Sequence, residues 1–433
     1  MTDFKKRMHN FLDRERQSET GESPLRSRLQ RLYDRSAKPK YFAQEEVVRN
    51  YQKLDECVRG KWSNTPFGDV FVGLADFPIR SAIGNTKLDN IFRITDNWLS
   101  RLGNFDQEKP IDFRQTVFVD TETTGLSGGT GTVAFLVGIG YFSEDTFQVD
   151  QYFIDSFAKE EGMLDLIADF LQPYTTVISF NGKTFDLPIL ENRYVLAGQK
   201  TPFARLDHLD LLHPSRQLWK LTLENCRLQT IEKNILHHYR EDDVPGEEAP
   251  RIYFRYLQAG DPVPLEPVFR HNADDIVSLV AITSALWRQF HAPDEDSEAG
   301  LIDHARGRMY SNKGELSLAL CAYRRSLSGQ LTPNRRQEVL VHMALIHKKL
   351  GQLEEMETVL HTALEIRDPF TIVPYEELAK YYEHRKKDFS EAIRIVETAL
   401  AALAPHRQQD RTSLEYRLNR LQDKLRRSNK TNS

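Results

Sequence analysis

Asp120 and Glu122 stand two residues apart at the end of a short apolar run, Val117-Phe118-Val119, inside the stretch QTVFVDTETTGLSGGTG. The run has strong β propensity. Strand side chains alternate between faces, so the two carboxylates project the same way. At the end of a buried strand they repel each other and cost stability unless a cation sits between them. Two later segments carry acids that can join them. Asn181-Gly182-Lys183-Thr184-Phe185-Asp186 follows an apolar run and puts Asp186 on the first turn of a helix. His271-Asn272-Ala273-Asp274-Asp275 opens another helix, with His271 and Asp275 at i and i+4 on one face. Asp274 points about one helical step away. Carboxylates are the ligands of hard divalent cations such as Mg2+.

The elements that must position these groups are legible in outline. The strand from Gln115 ends at Thr123-Thr124-Gly125, and Gly128, Gly129 and Gly131 make a tight connection to a second apolar run, Val133–Tyr141. Ser143-Glu144-Asp145 separates that run from Phe147–Ile154, which predicts an antiparallel meander. Met163, Leu164, Ile167, Phe170 and Leu171 give helical spacing over Glu160–Leu171. Thr176–Phe180 reads as a fourth strand and Thr184–Leu196 as a helix, with Pro188 near its start. Residues 201–270 are loop-rich, with a strand at Leu206–Leu211 and a turn at Asp242–Gly246. Ile276, Leu279, Val280, Ile282 and Leu286 form the apolar stripe of a helix over His271–Arg288. Ahead of this core, residues 46–110 form an accessory segment with a short β run, Val70-Phe71-Val72, and a helix over Ile91–Leu102.

At 433 residues the chain is expected to hold two or three domains. A net charge of −5 gives no global basic field, so contacts to nucleic acid would be local. Residues 1–45 form a charged helical or flexible arm, where Arg26, Arg28, Arg31, Arg35, Lys38 and Lys40 face one acid, Asp34. That cluster is either a solvated amphipathic face or a phosphate-contacting arm. The three cysteines, Cys57, Cys226 and Cys321, have no metal spacing and suit a reducing compartment. No secretory signal or membrane span is read, so the expected location is cytoplasmic.

Beyond a linker at 291–300 the chain repeats itself. Gly314-Glu-Leu-Ser-Leu-Ala recurs as Gly351-Gln-Leu-Glu-Glu-Met and as Lys387-Asp-Phe-Ser-Glu-Ala, at intervals of 37 and 36 residues. Leu327, Leu364 and Leu400 follow at matching offsets. These intervals lie near the tetratricopeptide period. Residues 301–433 are therefore read as stacked helix pairs, with the basic helix from Arg411 to Lys430 as a cap. A groove for a protein partner and plain helical packing are both open readings.

Asp120-x-Glu122, Asn181…Phe185-Asp186 and His271…Asp275 together resemble the three motifs of the DEDD 3′–5′ exonucleases. The order of strands and helices around them is that of a ribonuclease H-like core, a mixed sheet flanked by helices. SFNGKTFDLPIL, HLDLLHPSRQLW, LENCRLQTIE, EDDVPG and HNADD narrow the resemblance to the YprB-type ribonuclease H-like domain, over roughly 64–288. The expected architecture is thus an α/β ribonuclease H-like domain at 111–290 followed by an all-α tetratricopeptide-like region. The resemblance implies that Asp120, Glu122, Asp186 and Asp275 hold two Mg2+ or Mn2+ ions. It implies that His271 orients or deprotonates the attacking water, a task suited to an imidazole. The histidine subfamily spaces this residue five before its aspartate and the tyrosine subfamily spaces a tyrosine four before; here a histidine takes the four-residue spacing. The implied activity is 3′–5′ hydrolysis of single-stranded DNA or RNA. The alternatives are a nucleic-acid-binding adaptor with weak or no cleavage, and an endonuclease that accepts circular substrates.

Thr123, Leu126, Asn181 and Lys183 are the candidate nucleic-acid contacts. Leu126 either wedges against a terminal base or closes the core, and Lys183 either meets phosphate or is solvated. Asp210 and His208 make structural hydrogen bonds or support the metal ligands. Arg216 and Trp219 either contact a strand or, for Trp219, fill the core.

Overall fold

The computed structural model describes residues 52–125, 131–241, 243–291, 299–366 and 370–431. The arm at 1–45, Leu126 and most of the linker at 291–300 lie outside the described residues. The strands are β1 (Gly60–Ser63), β2 (Val70–Pro78), β3 (Ala82–Ile83), β4 (Thr86–Lys87), β5 (Thr116–Thr123), β6 (Ala134–Ser143), β7 (Thr146–Phe153), β8 (Thr176–Ser179) and β9 (Asp207–Asp210). All but β3 and β4 join one mixed sheet in the order β1-β2-β7-β6-β5-β8-β9. The meander β5-β6-β7 is antiparallel, and β8 and β9 run parallel to β5. The accessory segment is not separate from this sheet. Its strand β2 pairs with β7 from Phe71↔Phe153 to Pro78↔Thr146, well past the apolar triplet that marked it in the sequence.

The longer helices are α1 (Trp98–Gly103), α2 (Glu160–Phe170), α3 (Asp186–Leu196), α4 (Leu212–Trp219), α5 (Ala249–Ala259) and α6 (Glu266–His291), followed by the all-helical region. Alternation along β5 divides the core. Phe118 packs with Phe142, Phe147, Ile178 and the apolar stripe of α6 on one face. Val117 and Val119 pack with Met163, Leu164, Ile167, Leu187 and Leu190 from α2 and α3 on the other.

Five elements differ from the sequence reading, and proline or a local cap explains most of them. Helix α6 begins at Glu266, ahead of His271, and Pro267 sits in its first turn, where no amide hydrogen is needed. Helices α4 and α5 were hidden in the loop-rich stretch because Pro214 and Pro250 also sit in first turns. The expected helix over Ile91–Leu102 is a 3-10 turn, Leu88–Arg93, and then α1, restarted where Asp96 accepts the Trp98 amide at 2.8 Å. Helix α3 starts at Asp186 rather than Thr184.

The helical region comprises α7 (Ala299–Asn312), α8 (Leu316–Ser328), α9 (Pro333–Lys349), α10 (Leu353–Leu364), α11 (Val373–Tyr381), α12 (Phe389–Ala402) and α13 (Gln408–Thr431). Three hairpins result, α7/α8, α9/α10 and α11/α12. Their turns pass through Gly314, Gly351 and Lys387, with φ of 78°, 74° and 57°. The third turn keeps the left-handed geometry after losing its glycine, and a π-helical turn, Tyr382–Lys386, precedes it. Helix α13 lies on the last hairpin, where Arg417, Arg420 and Lys424 converge on the buried Glu383 at 3.1, 2.7 and 2.8 Å. The first hairpin joins the core. Ile302, Ala305 and Met309 pack with the α6 stripe, Glu315 pairs with Arg101, and Phe290 packs on Tyr310. Among the described residues no helix is long and apolar enough to cross a membrane.

Candidate active site

Asp120 and Glu122 sit at the end of β5, where the ladder to β6 shifts register between Glu122 and Thr123. Asp120 pairs across the sheet with Gly138. A Cβ at Gly138 would lie 2.2 Å from Asn272 Oδ1, and one at Gly140 would lie 2.5 Å from Ile276 Cγ2. These two bare positions let α6 lie directly on the sheet. Asn272 then donates from Nδ2 to Asp120 Oδ2 at 2.8 Å. Gln151 fixes the orientation of that amide by donating to Asn272 Oδ1 at 2.9 Å.

Asp186 is buried and accepts a hydrogen bond from the Thr121 hydroxyl. The loop leading to it is held by Asp210, whose carboxylate accepts the amides of Asn181, Lys183 and Leu212 at 2.8, 3.0 and 3.0 Å. His208 Nε2 pairs with the Ser179 hydroxyl at 2.8 Å. Both residues therefore brace the strand end and make structural hydrogen bonds. Burial pushes the His208 imidazole down to about 4.

From α6, Asp275 faces Arg240, whose Nη1 lies 2.6 Å from Oδ1. Arg240 also pairs with Glu232, which is 2% exposed. Burial works against the guanidinium charge, but Asp275 and Glu232 outweigh it and hold Arg240 above its ordinary range. One turn earlier, His271 Nδ1 lies 2.7 Å from Asp243 Oδ1. Its Nε2 lies 3.8 Å from Glu122 Oε1 and 3.7 Å from Asp275 Oδ2. The four-residue spacing thus sets the imidazole between the acid of the strand and the acid of the helix. Gly246 covers it, since a Cβ there would stand 3.5 Å from Nε2.

The carboxylates carry excess negative charge. Burial, then Asp275, Asp186 and Glu122, push Asp120 well above its ordinary range, against the Asn272 hydrogen bond. Burial, then Asp275, Asp186 and Asp243, do the same to Glu122. Asp186 is pushed up to about 6 by burial, partly offset by Thr121. Asp275 is raised by burial despite Arg240. Like charges crowded in this way are relieved by a cation, and an all-oxygen donor set fits Mg2+ or Mn2+.

Among the candidate contacts, Asn181 and Lys183 are exposed at the loop held by Asp210. Thr123 is buried and its hydroxyl donates to Gly125 O, so it turns the chain rather than facing solvent. Trp219 is fully buried with its Nε1 donating to Gln289, while Arg216 is exposed. Asp274 is partly buried on α6. Sequence reasoning missed Thr121, Gln151, Arg240, Asp243 and Asn272 as supports. Asp243 lay in the EDDVPG block, which reads locally as a turn; only the long-range approach of α6 reveals what it holds.

Residues 117–287 match the family model described as RNase_H superfamily. With the mixed sheet and its flanking helices, this segment is a ribonuclease H-like domain, and an all-helical region follows it. The chain is similar to the uncharacterized protein YprB of Bacillus subtilis (strain 168), at 29% identity over 358 residues, covering 81% of this chain and 84% of that protein. The domain supports a nuclease-type function on nucleic acid, and folds of this kind usually bind divalent metals.

Proposed function

We propose that the chain is a metal-dependent 3′–5′ exonuclease acting on single-stranded DNA or RNA. The observation that carries this reading is the convergence of Asp120, Glu122, Asp186 and Asp275, all held above their ordinary pKa by burial, with Asp120 and Glu122 raised further by the neighbouring carboxylates. These four residues would hold two Mg2+ or Mn2+ ions. Such a pair, when bound, offsets charge on the attacking and leaving oxygens of a phosphodiester. Asp243 accepts from His271 Nδ1, which leaves Nε2 as the basic nitrogen facing the carboxylates. Nε2 is then the atom that takes a proton from the attacking water. Asn272 and Thr121 aim Asp120 and Asp186, and Arg240 favours the ionised form of Asp275 against its burial. Asn181 and Lys183, exposed beside Asp186, are the contacts offered to the nucleic-acid backbone. The helical hairpins would carry a protein partner.

A second reading draws support from Arg240. A guanidinium against Asp275 can stand in for a cation, which suits an adaptor that binds ends without efficient turnover. Arg240→Ala separates the two. In the exonuclease reading it lowers activity, because Asp275 and Glu232 lose their partner; in the adaptor reading it creates or raises metal-dependent cleavage. Degradation of linear single strands with circular ones uncut supports the exonuclease, whereas cleavage of circles would turn the assignment to an endonuclease.

A further inference from the structure

Outside the nuclease domain, one cluster has the composition of a metal site. His304 on α7 and Glu338 and His342 on α9 each offer one ligand atom, and these atoms lie within 4.8 Å of one another. Glu338 and His342 are i and i+4 on one helical face. His304 is 0% exposed, and neither of its ring nitrogens has a hydrogen-bond partner among the described residues. A neutral imidazole always carries one N–H donor and one lone pair, so leaving both unpaired in the interior is costly.

The surroundings prepare the set for a cation. Arg335 takes Glu338 Oε2 at 2.6 Å, and Oε1 is left 3.8 Å from His304 Nε2. The Tyr323 hydroxyl lies 3.4 Å from His342 Nδ1. Burial holds His304 down at about 4 and also lowers His342, which keeps both rings in the neutral, ligating form at neutral pH. Arg308 and Arg335 add positive charge nearby, so the ion must be bound by covalent ligation rather than by net charge. Two imidazoles and a carboxylate suit a borderline metal far better than Mg2+. Tyr323 and His342 line a cleft of about 580 Å3, which gives an ion a way in.

We propose that His304, Glu338 and His342 form a Zn2+-type site that clamps the first helical hairpin to the second. The ion would join α7 to α9, two helices of successive hairpins, and set the angle between them. The fourth coordination position faces water or Tyr323.

The test uses the full chain and Co2+ as a spectroscopic probe. The parent is compared with an Asp120→Asn/Asp186→Asn variant, with His342→Ala and with Glu338→Gln. His304 is left intact because its burial makes replacement a folding risk. The expected result is one equivalent of Co2+ in a nitrogen-containing tetrahedral site, with strong visible absorption that excess Mg2+ does not remove. That absorption persists in the carboxylate variant and is lost in His342→Ala, with Glu338→Gln weakening Zn2+ at least about tenfold. In the Asp120→Asn/Asp186→Asn background Zn2+ should also raise the melting temperature, and adding His342→Ala should remove that rise. Loss of all Co2+ absorption in the carboxylate variant, or its retention in His342→Ala, overturns the proposal.

Discussion

Two buried histidines, each beside carboxylates, are held in opposite ways. His271 has one nitrogen on Asp243 and the other turned toward Glu122 and Asp275. His304 has neither nitrogen engaged and one carboxylate at 3.8 Å. The first arrangement fixes a tautomer and aims a single basic atom, which is what proton transfer requires. The second leaves a lone pair free and places a second imidazole beside it, which is what ligation of a softer ion requires. The same residue types thus serve different chemistry according to what their hydrogen bonds leave over.

Changes at the nuclease site should have the larger effects. His271→Ala should lower the turnover rate about 10²–10⁴-fold, the usual worth of a positioned general base. Asp243→Asn keeps the shape and removes the charge that holds Nδ1, so a loss of about 10–100-fold is expected. A turnover rate unchanged in both variants would remove the distinction between the two histidines. Arg240→Ala leaves Glu232 and Asp275 as buried unpaired acids, and denaturant unfolding should register a loss of about 3–5 kcal/mol.

The carboxylate and histidine clusters set pH dependences of opposite sign. Asp186 has an ordinary value of 3.8 and stands at about 6 in the folded chain. Between those values the native carboxyl holds more protons than the unfolded one, so its contribution to the stability of the metal-free chain falls as pH rises through this window and levels off above it. Because buried His208 and His304, held at about 4, give the opposite slope, the check is a comparison: without divalent ions the melting temperature of the parent should fall relative to that of Asp186→Asn from pH 4 to pH 6, and Mn2+ should recover most of that difference at neutral pH. Asp120→Asn should raise the metal-free melting temperature and abolish the response to Mn2+. The smallest effect is expected in the third hairpin. Lys387→Gly relieves a left-handed lysine and should stabilise by at most about 1 kcal/mol.

Much of the ribonuclease H-like domain was legible because its signals are local. Apolar runs marked β5 to β9, and the acids followed at strand and helix ends. Three of the helices that differ from the sequence reading carry a proline in the first turn, Pro214, Pro250 and Pro267, where a proline needs no donor and does not end a helix. The supports of the candidate site were invisible for a different reason. Asn272 reaches Asp120 across 152 positions and His271 reaches Asp243 across 28. Neither pair has a spacing that local periodicity can detect. The bare positions at Gly138 and Gly140 were in plain view as letters, but their meaning depends on the helix that lies over them. The His304 cluster escaped for the same reason, since its ligands come from successive hairpins.

The most direct measurement is degradation of 3′-labelled and 5′-labelled single-stranded DNA and RNA with Mg2+, with Mn2+ and with EDTA, beside an Asp120→Ala/Glu122→Ala control. The account predicts metal-dependent release of mononucleotides from the 3′ end by the parent chain and none by the control, with both proteins folded. A folded parent that binds these strands without cleaving any of them, or a control that cleaves as well as the parent, would contradict it.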